Sequence, residues 1–128
     1  PTSGWPMILV DTSVWIDHLR SGDDALMTLL NSAQVLMHPF VLGELACGNL
    51  SQRVEVLSLL QNLPQAAVAQ DGEVLFFIEQ HELMGRGIGY VDAHLMAAVV
   101  LDRGARLWTR DKRLHILADK LGMAYAAA

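Results

Sequence analysis

The sequence predicts an α/β fold in which helices flank a parallel sheet. Residues 7–10 form an unbroken apolar run that leads into Asp11, and residues 105–109 form a second strand-like segment that leads to Asp111. Apolar runs of the first kind are typical of parallel strands buried on both faces. Because ligand crevices form at the carboxyl ends of such strands, we expect both acids to lie at one edge of the sheet and to mark a site.

The remaining elements follow from apolar spacing, capping residues and helix breakers. A helix directly after the first strand is expected to pack through Val14, Trp15, Ile16 and Leu19. The pattern then predicts a helix over 25–31, a strand over 35–38, helices over 40–48 and 51–63, a weak strand over 66–69, a helix over 71–83, a glycine loop over 85–89, a helix over 91–103 and, after the 105–109 strand, a helix over 112–121 and an apolar piece over 123–126. This alternation favours a doubly wound sheet with right-handed crossovers.

Length and composition fit one domain with a substantial core. The 128 residues are 52% hydrophobic, and we expect a single domain over 7–128, preceded by an extension over 1–6 that is either native or added. The extension lacks the basic start and apolar region of a signal peptide. The longest apolar run is 95–101, so no membrane association is predicted. The single cysteine, Cys47, agrees with a reducing cytoplasm.

Four acids lie at strand ends or within otherwise apolar elements, and they are Asp11, Glu44, Asp92 and Asp111. An unpaired carboxylate buried in such an element costs several kcal/mol, on the order of the burial penalty of an ion. A divalent cation would offset this cost, since Mg²⁺ and Mn²⁺ favour hard carboxylate oxygens. The four acids together therefore favour a metal site.

Each acid also has a simpler interpretation. Asp11 could cap the first helix, Asp92 could be an acid favoured by the helix dipole, and Asp111 could pair with a neighbouring arginine. Glu44 is the hardest to explain in this way, because it lies mid-helix between leucines. The histidines show no zinc-ligand spacing, and His94 is about 200° around its helix from Asp92, so it is not expected to face the same metal.

Charge is distributed unevenly along the chain. Residues 1–100 carry 11 acidic and 3 basic side chains, whereas residues 101–128 carry 3 acidic and 6 basic ones. Three of these bases, Arg110, Lys112 and Arg113, flank Asp111. A cationic rim around an acidic pocket suits an enzyme that cleaves phosphodiesters, since the bases can hold backbone phosphates. The same pattern is also typical of a solvated surface with ordinary helix-end charges.

Four segments carry a family resemblance: ILVDTSVWI (8–16), ELACG (44–48), GIGYVDAHLMAA (87–98) and LWTRD (107–111). Their acids are separated by 33, 48 and 19 residues. In the order and intervals of these segments the chain resembles PIN-domain ribonucleases and, more narrowly, the VapC toxins of bacterial and archaeal VapBC toxin-antitoxin pairs. The resemblance covers nearly the whole chain from Met7 onward. One departure is Trp108, which stands where an aliphatic residue is common.

The resemblance implies a Mg²⁺- or Mn²⁺-dependent endoribonuclease with a three-layer fold and a five-stranded parallel sheet, commonly ordered 3-2-1-4-5. The family's four acidic positions are occupied here by Asp11, Glu44, Asp92 and Asp111. Ser13 and Thr109 are the implied helpers, whose hydroxyls would orient a carboxylate or a water. The implied partners are an RNA substrate, a cognate VapB-type antitoxin that wraps the domain, and a second copy of the chain in a homodimer.

Other functions fit the residues less well. A haloacid-dehalogenase-type phosphatase needs a second acid where Ser13 stands, and a response-regulator receiver needs an acid after the third strand, where Ala69 and Gln70 stand. The remaining alternative is a non-catalytic PIN-like module that binds protein or RNA. The presence of all four acids argues against it.

Overall fold

The structure is a computed structural model that describes residues 5–127. In chain order its elements are β1 (Ile8–Val10), α1 (Thr12–Ser21), α2 (Asp24–Asn31), β2 (Val35–Leu36), α3 (Pro39–Ala46), α4 (Arg53–Gln61), α5 (Asp71–Gln80), α6 (Tyr90–Leu101), β3 (Arg106–Trp108) and α7 (Lys112–Lys120). The seven helices lie close to their predicted positions. No helix in the described range has the length and apolar character needed to cross a membrane. Residues 1–4 of the predicted extension lie outside this range.

The central strand of the sheet is β1, as the first apolar run predicts. It pairs in parallel with β2 on one side and with β3 on the other. All three of its residues are buried, which is the environment that an unbroken apolar strand requires. The Asp11 N–H donates to the Trp108 carbonyl oxygen over 2.9 Å, so the end of β1 stays attached to the end of β3.

The five-stranded sheet implied by the resemblance is wrong for the described residues, where the sheet has three strands. Each edge instead carries one isolated parallel bridge, Met37 with Gln65 and Leu107 with Ala124. The Gln65 bridge has two hydrogen bonds of 2.8 Å, from the Met37 N–H to the Pro64 carbonyl oxygen and from the Ala66 N–H to the Met37 carbonyl oxygen. The predicted 66–69 strand does not form, in keeping with the low strand propensity of alanine. The edges therefore contribute single bridges where the resemblance implies full strands.

The predicted apolar helix faces are only partly buried. On α1, Val14 and Trp15 are buried, whereas Ile16 is 43% and Leu19 is 37% exposed. On α4, Leu60 is buried but Val54 is 83% exposed. Apolar spacing identified both helices correctly, but it overstated how much of each one packs against the core.

Candidate active site

Asp11 is the buried centre of the candidate site. It directly follows β1 and is 8% exposed. Its Oδ2 atom accepts hydrogen bonds from Thr109 Oγ1 at 2.7 Å and from Ser13 Oγ at 2.8 Å. The side chain does not cap α1, so the simpler interpretation of Asp11 as a helix cap is wrong. The carboxylate is held instead by the two hydroxyl groups predicted as its helpers.

The same two hydroxyls tie Asp11 to the segment between β3 and α7. Ser13 Oγ accepts the Arg110 N–H at 3.0 Å, and Thr109 Oγ1 accepts the Asp111 N–H at 3.1 Å. Each hydroxyl hydrogen is already donated to Asp11, so each oxygen acts as both donor and acceptor. This network fixes the orientation of Asp11 relative to Asp111.

Asp111 and Glu44 are both exposed, and each is held by a single hydrogen bond. Asp111 Oδ1 accepts the Leu114 N–H at 3.0 Å and caps α7. Glu44 Oε1 accepts a hydrogen bond from Thr12 Oγ1 at 2.6 Å. The exposure of Glu44 contradicts the prediction of an acid buried in an apolar helix, and its carboxylate therefore carries little burial penalty. Sequence reasoning missed Thr12 as its partner, although a hydroxyl next to a strand-end acid is a signal that could have found it.

Asp92 connects the four acids electrostatically. It is half-buried in the first turn of α6, and its Oδ2 atom accepts the Gly89 N–H at 3.1 Å. Burial is the main cause that raises the pKa of Asp92, the Gly89 hydrogen bond acts against it, and the negative charges of Asp11, Asp111 and Glu44 raise it further. Three carboxylates that are distant in sequence thus all raise the pKa of Asp92.

This raised pKa predicts that Asp92→Asn stabilises the metal-free protein at neutral pH. The folded state holds the Asp92 proton more tightly than the unfolded chain does, so its contribution to stability falls as the pH rises above the usual aspartate range. In chelator, we expect the variant to melt at a higher temperature than the parent at pH 7, with a difference that shrinks toward about pH 4. A variant that melts at a lower temperature at pH 7 would contradict this explanation.

The four acids fit a hard cation by chemistry, although they are not arranged as a complete cage. Among residues 5–127, no three His, Cys, Asp or Glu side chains form a group that could already hold a metal ion. Each acid nevertheless keeps one oxygen that accepts no hydrogen bond from the described residues, namely Asp11 Oδ1, Glu44 Oε2, Asp92 Oδ1 and Asp111 Oδ2. Exposed Glu44 and Asp111 can reorient with little loss of packing. The donor set therefore suits Mg²⁺ or Mn²⁺ once these two side chains turn inward.

A family model described as "PIN domain" matches residues 8–120. The chain belongs to the PIN-domain family. It is 52% identical over 120 residues to "Ribonuclease VapC32" from two Mycobacterium tuberculosis strains, CDC 1551 / Oshkosh and ATCC 25618 / H37Rv, and this covers 94% of the chain and 97% of each relative. These matches confirm the resemblance inferred from the sequence.

The solved structures most similar in fold include FitAcB from Neisseria gonorrhoeae. The match has a TM-score of 0.60 at 20% sequence identity, and it covers 88% of this chain and 94% of that one. At this identity the likeness shows the fold alone. The three-stranded sheet and its helices are therefore an arrangement shared with a solved structure.

The basic side chains predicted around this PIN-domain site differ in their availability. Arg110 donates to Asp17 Oδ2 at 2.6 Å and also to Asp23, and its guanidinium lies 5.5 Å from the Trp108 ring centroid. To bind a phosphate, Arg110 would have to leave two carboxylates. Lys112 and Arg113 instead form no ion pair with the described residues.

Arg113 lies against the glycine loop that precedes α6. A Cβ atom at Gly87 would come within 2.5 Å of Arg113 Cδ and Nη1, and Gly87 has a φ of +83°. The backbone conformation therefore favours glycine at this position, and a Cβ atom here would displace the flexible end of the Arg113 side chain. The contact links the loop before Asp92 to the first turn of α7, directly after Asp111.

Proposed function

We propose that this PIN domain is a divalent-metal-dependent endoribonuclease and the toxin of a type II toxin-antitoxin pair. The proposal rests on one observation above all: the charges of Asp11, Glu44 and Asp111 act together on Asp92. The 52% identity to a protein named as a ribonuclease supports RNA as the substrate. Mg²⁺ is the proposed cofactor, with Mn²⁺ as the alternative.

In the proposed mechanism, Asp11, Glu44 and Asp92 would hold the cation, and Asp111 would help to hold it or to recruit a second ion. When bound, the cation would supply positive charge against the scissile phosphate and lower the pKa of water. Ser13 and Thr109 hold Asp11 in a fixed orientation and the Gly89 N–H does so for Asp92, whereas exposed Glu44, now bonded to Thr12, would turn toward the cation. These contacts preorganise the negative charge that the cation requires.

Lys112 and Arg113 are the proposed contacts to phosphates that flank the cleaved bond. Both lie in the first turn of α7, where the helix dipole disfavours positive charge. Their position there is unfavourable for the helix itself, which supports a role in binding an anion. Such contacts position the RNA backbone and carry no base sequence information.

The Gly87 contact gives a prediction with a matched control. Gly87→Ala is expected to displace Arg113, to weaken RNA binding by about threefold to tenfold, and to reduce the slope of log affinity against log salt by up to about one. Gly85→Ala imposes a similar left-handed strain, with a φ of +70°, but its Cβ meets no atom within 4 Å. Binding is measured in chelator, so that RNA stays intact. Equal effects of the two variants on RNA binding would show that Arg113 does not contact phosphate.

The enzyme proposal is tested by incubating RNA with the purified protein in Mg²⁺ and in chelator. We expect cleavage in Mg²⁺ only, and loss of cleavage in the Asp92→Asn variant. A non-catalytic binding module would retain RNA in both buffers without cutting it. That outcome would overturn the nuclease proposal.

We also propose that the protein acts in the cytoplasm, where its free, exposed Cys47 would stay reduced. A cognate antitoxin and a second copy of the chain are its proposed protein partners. Trp15 is buried, so partners are expected to use other side chains. Light scattering of the protein, alone and co-expressed with its antitoxin, measures both assemblies. A monomer in both samples would contradict both the homodimer and the complex with the antitoxin.

A further inference from the structure

Two histidines with no role in the proposed chemistry are buried on the two helices that carry Glu44 and Asp92. His38 is 0% exposed at the start of α3, and His94 is 2% exposed within α6. Phe40 contacts the ring of His94, with 4.6 Å between the centroids, so the two helices pack together here. Of these two helices, α3 carries Glu44 and α6 carries Asp92.

The hydrogen bonds of His38 determine where its proton lies. The Phe40 N–H donates to His38 Nδ1 over 3.0 Å, so Nδ1 is an acceptor and carries no hydrogen. Burial is the main cause that lowers the pKa of His38 to about 4, and a protonated His94 lowers it further, so the His38 ring is neutral at pH 7. The single ring proton is then on Nε2. This N–H is buried and has no hydrogen-bond partner among the described residues.

His94 has the complementary arrangement. Its Nε2 atom lies 3.3 Å from Asp71 Oδ1, which also accepts the Tyr90 hydroxyl at 2.8 Å. The Tyr90 hydrogen bond is the main cause that lowers the pKa of Asp71. In the neutral form of the His94 ring, an ionised Asp71 carboxylate requires the single ring proton to be on Nε2. His94 Nδ1 is then an acceptor, and it too is buried without a partner in the described part of the chain.

One ring therefore presents an unpaired donor and the other an unpaired acceptor. Their centroids are 6.4 Å apart. Each ring nitrogen lies only about 1 Å from its centroid and a hydrogen bond spans about 3 Å, so the rings are too far apart for a direct bond. The separation suits one intervening water, which would satisfy two buried polar atoms that are costly to leave unpaired.

We propose that one buried water bridges His38 Nε2 and His94 Nδ1, and that this bridge makes both histidines positioning residues for the two acid-bearing helices. The positioning part rests on the proposed metal site, whereas the bridge itself does not. By joining the start of α3 to the first half of α6, the bridge fixes the spacing between Glu44 and Asp92.

The test uses two variants that each keep one existing hydrogen bond. His38→Asn retains an acceptor for the Phe40 N–H and removes the bridging donor, while His94→Gln retains a donor to Asp71 and removes the bridging acceptor. The two single variants, the double variant and the parent are compared by urea unfolding and by Mg²⁺ calorimetry without RNA. Histidine tautomers in the parent are read by nitrogen NMR.

The bridge predicts a proton on Nε2 of both rings. It also predicts that the change in the unfolding equilibrium constant of the double variant is smaller than the product of the changes in the two single variants. Each single variant is expected to raise the Mg²⁺ Kd by about threefold to tenfold, and the double variant is expected to be no worse. Nδ1-protonated rings or multiplicative unfolding effects would overturn the bridge. Unchanged Mg²⁺ affinity in variants of a parent that binds Mg²⁺ would overturn the positioning role. A parent that binds no Mg²⁺ would contradict the proposed function and the positioning role, while the unfolding and NMR results would still decide the bridge.

Discussion

Asp11→Asn is expected to reduce RNA cleavage by about a thousandfold or more while leaving the fold intact. Asp11 is the buried acid of the site, and two hydroxyls hold its carboxylate. Asparagine keeps the shape but removes the negative charge that the cation requires. Losing several kcal/mol of stabilisation of the transition state corresponds to a rate effect of this size, at tenfold for about every 1.4 kcal/mol.

The measurement is the single-turnover cleavage rate at saturating Mg²⁺, with circular dichroism and a melting curve to check the fold. Glu55→Gln is the matched control, because Glu55 is an exposed acid in the first turn of α4 and is not one of the four site carboxylates. It should cleave at the parental rate. Cleavage by Asp11→Asn at the parental rate would show that Asp11 is not a metal ligand.

Thr109→Val is expected to have the second largest effect, because it removes a buried hydroxyl that makes two hydrogen bonds. The hydroxyl donates to Asp11 and accepts the Asp111 N–H. Valine has nearly the same shape, so packing should be retained while the Asp111 N–H loses its partner. We expect a loss of about 1–3 kcal/mol in the free energy of unfolding. Cleavage should fall by about tenfold to a hundredfold, as is usual for groups that orient metal ligands.

Thr109→Ser is the control, since it keeps the hydroxyl and removes only a methyl group. Unfolding in urea and cleavage against Mg²⁺ concentration measure the two effects separately. The hydroxyl explanation requires Thr109→Ser to remain close to the parent in both assays. A serine variant as damaging as the valine variant would contradict the hydroxyl explanation, since serine keeps the group that bonds Asp11 and the Asp111 N–H.

The elements that carry the site were predictable from local sequence. The buried run of β1 and the placement of Asp11 and Asp111 follow from an apolar segment that ends in an acid. The outer edges of the sheet were not predictable, because single bridges such as that of Gln65 depend on how the neighbouring strand presents its backbone groups. Local pattern thus predicts the centre of this fold better than its edges.

The side-chain partners at the site depend on tertiary contacts that a linear pattern does not contain. Glu44 lies between two leucines in sequence, yet the helical turn directs its carboxylate to the surface and to Thr12. Arg110 was predicted as a phosphate contact, but packing of α1 and α2 brings two carboxylates to its guanidinium. The partner of His94 is Asp71, which lies 23 residues earlier in the chain.

The central claim is that four carboxylates converge on one divalent cation at the carboxyl ends of β1 and β3. Anomalous scattering from a crystal soaked in Mn²⁺ tests it most directly. We predict a Mn²⁺ peak in contact with the carboxylates of Asp11 and Asp92, with Glu44 and Asp111 turned toward it. A Mn²⁺ ion bound away from Asp11, or no peak at a concentration that supports RNA cleavage, would contradict the claim.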